Sequence, residues 1–170
     1  MITKPGLKNR DELHYVAIRT QVDIPFGAVL PPLWNEVFAW LASKGISPSG
    51  APFIRYLTID MPKTLDLEVG IPVATAVPGE GRICAGVFPA GQYAGLVYSG
   101  PYEGNGLVNA TIALLDWAKE NHIAWQTSTK DNGEWWEARI EFYITDPAAE
   151  PDLQKWQTEL AFLTADNPTG

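Results

Sequence analysis

The feature that most constrains the fold is an internal repeat: one order of strand, helix, strand, strand can be read twice along the chain. In the first copy His14 to Thr20 alternates as a strand does, with Val16 and Ile18 on one face and Tyr15, Ala17 and Arg19 on the other. Pro25 and Gly27 break it. Pro31-Pro32 can open a helix, because proline is tolerated in a first turn. Leu33, Trp34, Val37, Phe38, Trp40 and Leu41 then recur at helical spacing up to Gly45. Phe53 to Ile59 and Leu65 to Val73 read as strands about a turn that holds Asp60 and Pro62.

After a linker over Ala76 to Arg82 the order returns. Ile83 to Phe88 and Gly91 to Ser99 are strand-like, and Gly100 to Gly104 is a loop. Leu107 to Asn121 is a helix with Asn105 as its cap and Leu107, Val108, Ile112, Leu115 and Ala118 as its buried stripe. Trp125 to Glu134 reads as a polar loop. Glu137 to Thr145 and Trp156 to Thr164 are the last strands, joined through Asp146-Pro147. Met1 to Glu12 reads as a polar lead-in and Asp166 to Gly170 as a loose tail. Trp40 and Ile46 match Trp117 and Ile123, each pair at a helix end. One such unit covers only one face of its sheet and needs a partner. The expected fold is therefore α+β: duplicated β-α-β-β units, repeat one about 14–75 and repeat two about 83–166, related by a pseudo-two-fold. They form one domain with an antiparallel sheet and a central cleft.

Composition narrows the function. With 170 residues, 46% hydrophobic and 19% charged, the chain has the profile of one globular domain. An excess of 20 acidic over 12 basic residues, a net −8, argues against nucleic acid and anionic membrane as partners. The single Cys84 excludes an internal disulfide and reads as a buried small hydrophobe. No signal peptide is evident, and no stretch approaches the roughly 18 apolar residues of a membrane span, so a cytoplasmic location is expected. His14 and His122 are the only histidines and lack neighbours at metal-ligand spacing. There is no Gly-x-Ser-x-Gly elbow and no phosphate-binding glycine loop. Neither metal nor cofactor is expected.

The candidate site residues are carboxylates and aromatics. Glu159 and Glu68 each sit on a strand with a small residue, Ala161 or Gly70, two places later on the same face, which suggests open space beside the carboxylate. Glu159 is the preferred ligand-binding and catalytic carboxylate, with Glu68 as its symmetry mate. Tyr143, two residues from Glu141 and on its face, is a ring wall or phenol donor, and Tyr56 is its counterpart. Tyr98 and Tyr102 flank Gly100-Pro101, where a loop could close over a ligand. Of the adjacent Trp135 and Trp136 only one can face the cleft, and Trp136 is the choice. Trp34, Trp40 and Trp117 are assigned to the core. Glu103 with Glu159, or Glu68 with Glu159, would form acid/base dyads if brought within reach.

Gly100-Pro101-Tyr102-Glu103 ahead of a helix, Tyr143-Ile144-Thr145-Asp146-Pro147, Trp156-Gln157-Thr158-Glu159-Leu160 and Leu67-Glu68-Val69-Gly70-Ile71-Pro72-Val73 together resemble the gyrase-inhibitor-like (GyrI-like) small-molecule-binding family. The resemblance implies a duplicated, SHS2-like fold with a central ligand cleft, found in many relatives as the effector-binding half of a transcription regulator. It also implies a pocket glutamate in the final strand, which falls on Glu159. The leading expectation is a stand-alone binding protein for a bulky aromatic or cationic compound. A second reading follows from relatives similar to hydrolases of strained cyclopropanes, with Glu159 and Tyr143 acting on the electrophile. A third is an inhibitor of a topoisomerase through an acidic surface. Too few residues precede the first strand for a helix-turn-helix, so direct DNA contact is not expected. Monomer and dimer are both open.

Overall fold

The computed structural model describes every residue except 24–28, 61–63, 103, 131–132 and 166–170. The expected break at Pro25 and Gly27, the turn residue Pro62, Glu103 and the tail from Asp166 thus lie outside the described residues. In chain order the elements are β1 (Gly6–Arg10), β2 (Leu13–Asp23), α1 (Leu30–Ser43), β3 (Phe53–Asp60), β4 (Thr64–Pro72), β5 (Ile83–Phe88), β6 (Gly91–Ser99), α2 (Gly106–Glu120), β7 (Thr127–Lys130), β8 (Gly133–Trp136), β9 (Arg139–Tyr143) and β10 (Gln157–Leu163). No helix among the described residues is long and apolar enough to cross a membrane.

All the strands join one antiparallel sheet, whose main path runs β1-β6-β10-β9-β3-β4-β2-β5, with the β7–β8 hairpin attached at β3. Read outward from its centre, β9-β10-β6 mirrors β3-β4-β2, so the pseudo-two-fold passes between β9 and β3. Phe53 pairs there with Phe142 and Ile54 with Glu141. The edge strands are exchanged between the halves. β1 precedes β2 in the chain but pairs with β6, and β5 precedes β6 but pairs with β2.

Because side chains alternate along a strand and paired residues share a face, register divides the sheet into two surfaces. One carries both helices. Val37 and Leu41 of α1 pack on Val16, Ile18 and Ile71, and Ala110 and Leu114 of α2 pack on Leu96, Leu160 and Phe162. The other face has no helix and closes on itself. Phe88 of β5 lies 6.5 Å from Phe142 of β9, ring to ring, although three strands separate them in the sheet. A flat sheet would hold them roughly 19 Å apart, so the sheet curls towards this face. Tyr15, Phe53, Phe88 and Phe142 fill the concavity with stacked and edge-on contacts of 4.5–6.5 Å.

Several local expectations are corrected. The polar lead-in contains β1, and the polar loop after Trp125 contains the β7–β8 hairpin; neither has an apolar pattern of its own, and each joins the sheet by pairing with a segment distant in sequence, β1 with β6 and β8 with β3. The buried positions of α2 are Ala110, Leu114 and Ala118, while Val108 and Ile112 are 55% and 50% exposed. Small Ala110 and Ala118 let the helix approach the sheet closely, which turns the larger residues outward. Asn105 occupies the N-cap position without a side-chain cap bond. Cys84 is exposed, since β5 is an edge strand.

The open space expected beside Glu68 is occupied. A Cβ on Gly70 would come within 2.6 Å of the Phe53 ring and 2.8 Å of both the Ala17 Cβ and the Val16 carbonyl oxygen. Gly70→Ala should therefore destabilise the protein by about 1–3 kcal/mol through overpacking. Gly6→Ala, which would meet nothing within 4 Å, should leave stability nearly unchanged. Urea-unfolding midpoints of the two variants test this.

Candidate functional site

Glu141 sits on the helix-bearing face, between the part of the sheet packed under α1 and the part packed under α2. Its cross-strand neighbours are Ile54 on β3, which packs with Leu30, Leu33 and Trp34 of α1, and Leu160 on β10, which packs with Ala110 and Leu114 of α2. Alternation along β9 puts Arg139, Glu141 and Tyr143 on this face and Ile140 and Phe142 in the aromatic concavity behind it. Glu141 is 7% exposed. The Tyr143 hydroxyl donates to its Oε2 at 2.6 Å and the Tyr56 hydroxyl donates to the same oxygen at 3.2 Å. Oε1 accepts no hydrogen bond among the described residues.

Further aromatic rings pack around Tyr143. Trp34 of α1, whose indole N–H donates to the Phe53 carbonyl at 3.2 Å, meets the Tyr143 ring edge-on at 5.3 Å. Tyr102 meets Tyr143 from the other side at 5.1 Å and leans on Trp156 at 4.8 Å. Its hydroxyl donates to the Thr145 carbonyl at 2.6 Å, which fixes the Gly100-Pro101-Tyr102 loop to the segments following β9 and preceding β10. At the other end of the site the Arg139 guanidinium lies 4.7 Å from the Trp136 ring, 4.9 Å from Phe162 and 5.7 Å from Tyr56. Thr158, paired with Tyr143 and Tyr98, is fully buried, and its hydroxyl has no partner among the described residues.

Burial governs the electrostatics. It raises the Glu141 carboxyl above the ordinary glutamate range, against the opposing pull of the Tyr143 hydrogen bond, the Arg139 charge and the Tyr56 hydrogen bond. It raises the Tyr56 and Tyr143 phenols well above theirs, so both remain neutral donors at neutral pH. A carboxylate of raised pKa beside a phenol can hold a cation when ionised or pass a proton when not.

The predicted site residues divide between the two faces. Tyr56 and Tyr143 converge on Glu141, Tyr102 packs on Tyr143, and Trp136 covers Arg139. Tyr98 lies on the same face but serves the helix entry: its ring fills the space beside Gly100 and Gly106, and its hydroxyl donates to the Pro101 carbonyl at 3.2 Å. Glu159 and Glu68 face the other way. Glu159 pairs in register with Phe142 and is held by Arg10 at 2.7 Å, beside a shallow cavity of about 210 Å³ lined by Thr3, Lys8, Tyr93 and Gly95. Glu68 accepts from the Tyr15 hydroxyl at 2.6 Å and from Arg55 at 3.0 Å. The expectation that Glu159 and Tyr143 share a cleft is thus corrected. Glu68 and Glu159 do not form a dyad in this structure either, since each is bonded to its own arginine, Glu68 to Arg55 and Glu159 to Arg10. Glu141, Arg139, Thr158 and Trp156 were not singled out from sequence as site residues, and Trp34, assigned to the core, packs on the Tyr143 ring beside the site. The signal available was the alternation Arg139-x-Glu141-x-Tyr143 opposite Ile140 and Phe142, polar side chains on a strand buried on both faces.

The model of the GyrI-like small molecule binding domain matches residues 3–163, and the chain belongs to that family. Among solved structures the C-terminal domain of EcmrR is similar, with 24% identity and a TM-score of 0.76 over 96% of this chain and 98% of that one. Against the whole EcmrR in its DNA complex the identity is 24% and the TM-score 0.77; the match takes in 96% of this chain, which spans 58% of that longer one. SAV2435 bound to tetraphenylphosphonium shares 9% identity at a TM-score of 0.58 over 96% and 94% of the two chains. A hydrolase from Listeria innocua shares 12% at 0.60 over 95% and 92%. At these identities the likeness concerns the fold. No curated protein matches the sequence.

The raised carboxyl of Glu141 has a measurable consequence. A folded-state pKa above the unfolded value stabilises at low pH, and the contribution is lost as pH rises through the folded pKa. Glu141→Gln, which keeps an acceptor for both phenols, should match wild type in acid and become the more stable protein as pH rises across about 4 to 8. Melting temperatures of both proteins over that range test the sign.

Proposed function

We propose that the protein binds a bulky aromatic, cationic small molecule between its two helices, with Glu141 as the carboxylate that receives the charge. The observation that carries this reading is the bonding of Glu141: a buried carboxylate beside Tyr56 and Tyr143, with Trp34 packed on the Tyr143 ring, whose only hydrogen-bond donors among the described residues are two phenols on one oxygen. A buried carboxylate without a bonded cation is costly, and a ligand cation offsets that cost while the rings add stacking area. Membership of a small-molecule-binding family and the tetraphenylphosphonium complex of a structural neighbour support the ligand class. Glu159 and Glu68 already hold arginines and have less to gain from a ligand.

A second reading, hydrolysis of a strained electrophile in the same site, is supported by the short Tyr143–Glu141 hydrogen bond and the raised carboxyl. Its residues would be Glu141 and Tyr143 in place of Glu159 and Tyr143.

Tetraphenylphosphonium titrated against wild type and followed by tryptophan fluorescence should show saturable binding. Glu141→Gln should weaken it about tenfold or more, and Glu159→Gln should leave it unchanged. The reverse pattern, with Glu159 decisive, would sink the assignment. Product analysis with cyclopropane electrophiles separates the two readings: turnover lost in Glu141→Gln makes the site catalytic.

A further inference from the structure

The sequence holds five arginines, and four of them grip a carboxylate: Arg10 with Glu159, Arg19 with Asp66, Arg55 with Glu68 and Arg82 with Glu36. Arg139 grips none. Among the described residues its side chain makes no hydrogen bond and no ion pair, and its Nε is sealed from solvent without an acceptor. Its guanidinium rests instead on Trp136, Phe162 and Tyr56. Ring faces attract the charge but offer no lone pairs to the fork of N–H donors, which stays unused. Burial lowers the pKa of Arg139, the mark of a cation short of compensation.

Besides Glu134 on β8, the carboxylate whose charge acts on Arg139 is Glu141, two residues along β9 and so roughly 7 Å away at the backbone. It is bonded by the two phenols and does not reach the guanidinium. Beyond it stands the unpartnered hydroxyl of buried Thr158. A molecule lying along β9 would meet, in order, a guanidinium with empty donors, a carboxylate with a free oxygen, and a hydroxyl with no partner.

We propose that Arg139 receives a carboxylate of the ligand, so that the site takes amphoteric aromatic molecules rather than simple lipophilic cations. The acid docks on Arg139, and a basic group some 7 Å or more away faces Glu141. This rests on the ligand site proposed above and specifies its ligand. Arginine suits the task because its planar fork matches a carboxylate in two parallel hydrogen bonds, and the rings beneath it hold the plane in place.

The test uses a matched pair of rhodamine dyes, the ethyl ester (a cation) and its free acid (a zwitterion), titrated by fluorescence polarisation. Wild type should bind the free acid about tenfold or more tighter than the ester. Arg139→Met, which keeps apolar bulk on Trp136, should erase that preference by weakening the acid while the ester binds no worse. Arg139→Lys, retaining charge without the fork, should keep part of it. Should Arg139→Met fail to fold, wild type and Arg139→Lys decide the matter. Equal affinities in wild type, a preference for the ester, or a preference that survives Arg139→Met overturns the proposal. Ester binding that needs Glu141 but ignores the acid leaves the proposed function standing and removes this inference alone. If neither dye binds, both fall.

Discussion

The pairing of β9 with β3 is the contact on which the rest of the structure depends. It joins the two halves, and its register decides which side chains of β9 meet the helices. With Ile54 opposite Glu141, the carboxylate must emerge between α1 and α2, and Phe142 opposite Phe53 must enter the aromatic concavity. A slip of one residue would exchange the two sets, placing Ile140 and Phe142 on the helix-bearing face and three polar side chains in the aromatic core. Rings that reach across the curl, Phe88 on Phe53 and Phe142 on both, penalise that slip.

The two faces treat charge differently. On the concave side each carboxylate is answered within the fold: Glu68 by Tyr15 and Arg55, Glu159 by Arg10, Asp66 by Arg19. On the helix-bearing side a carboxylate and a guanidinium share one strand face and stay apart, each supported by neutral groups. Leaving buried opposite charges unmated lowers stability for no structural gain, and proteins tolerate it where chemistry or recognition requires it. The contrast within one sheet sets the Glu141 side apart more firmly than any shape criterion, and in the cavity beside Glu159 the carboxylate is already paired with Arg10.

How much of this was legible in the sequence follows from which facts are local. The repeat of strand, helix and strand pair was readable because periodicity and turn residues are local, and the matched helix ends at Trp40 and Trp117 exposed the duplication. Tyr56 and Tyr143 could be named because the turn after each marks the same place in its unit. Glu159 and Glu141 could not be ranked, since both alternate properly on strands. What separates them is the neighbour across the sheet: Glu159 meets Arg10 from β1, a strand with no apolar pattern, whereas Glu141 lies on a central strand covered on both sides. The rotation of α2 was hidden for a related reason. Val108 and Ile112 are apolar enough to be buried, and only the tight approach allowed by Ala110 and Ala118 shows that they are not. Gly70 suggested a gap, but the missing side chain is filled by Phe53 from the next strand.

The exchanged edge strands bear on how such a chain could arise and fold. A half-length ancestor could close the same sheet only as a symmetric dimer whose arms crossed over, since β1 completes the far half and β5 the near one. Fusion through the segment between β4 and β5 turns that assembly into an intramolecular event, in which each half sees the other at an effective concentration on the order of millimolar whatever the protein concentration. Once fused, the halves are free to diverge, and one copy can acquire Arg139 and Glu141 where the other keeps Ile54 and a plain core. Asymmetry of that kind is closed to a true homodimer, and it lets a single strand face carry both an arginine and a glutamate near the pseudo-two-fold.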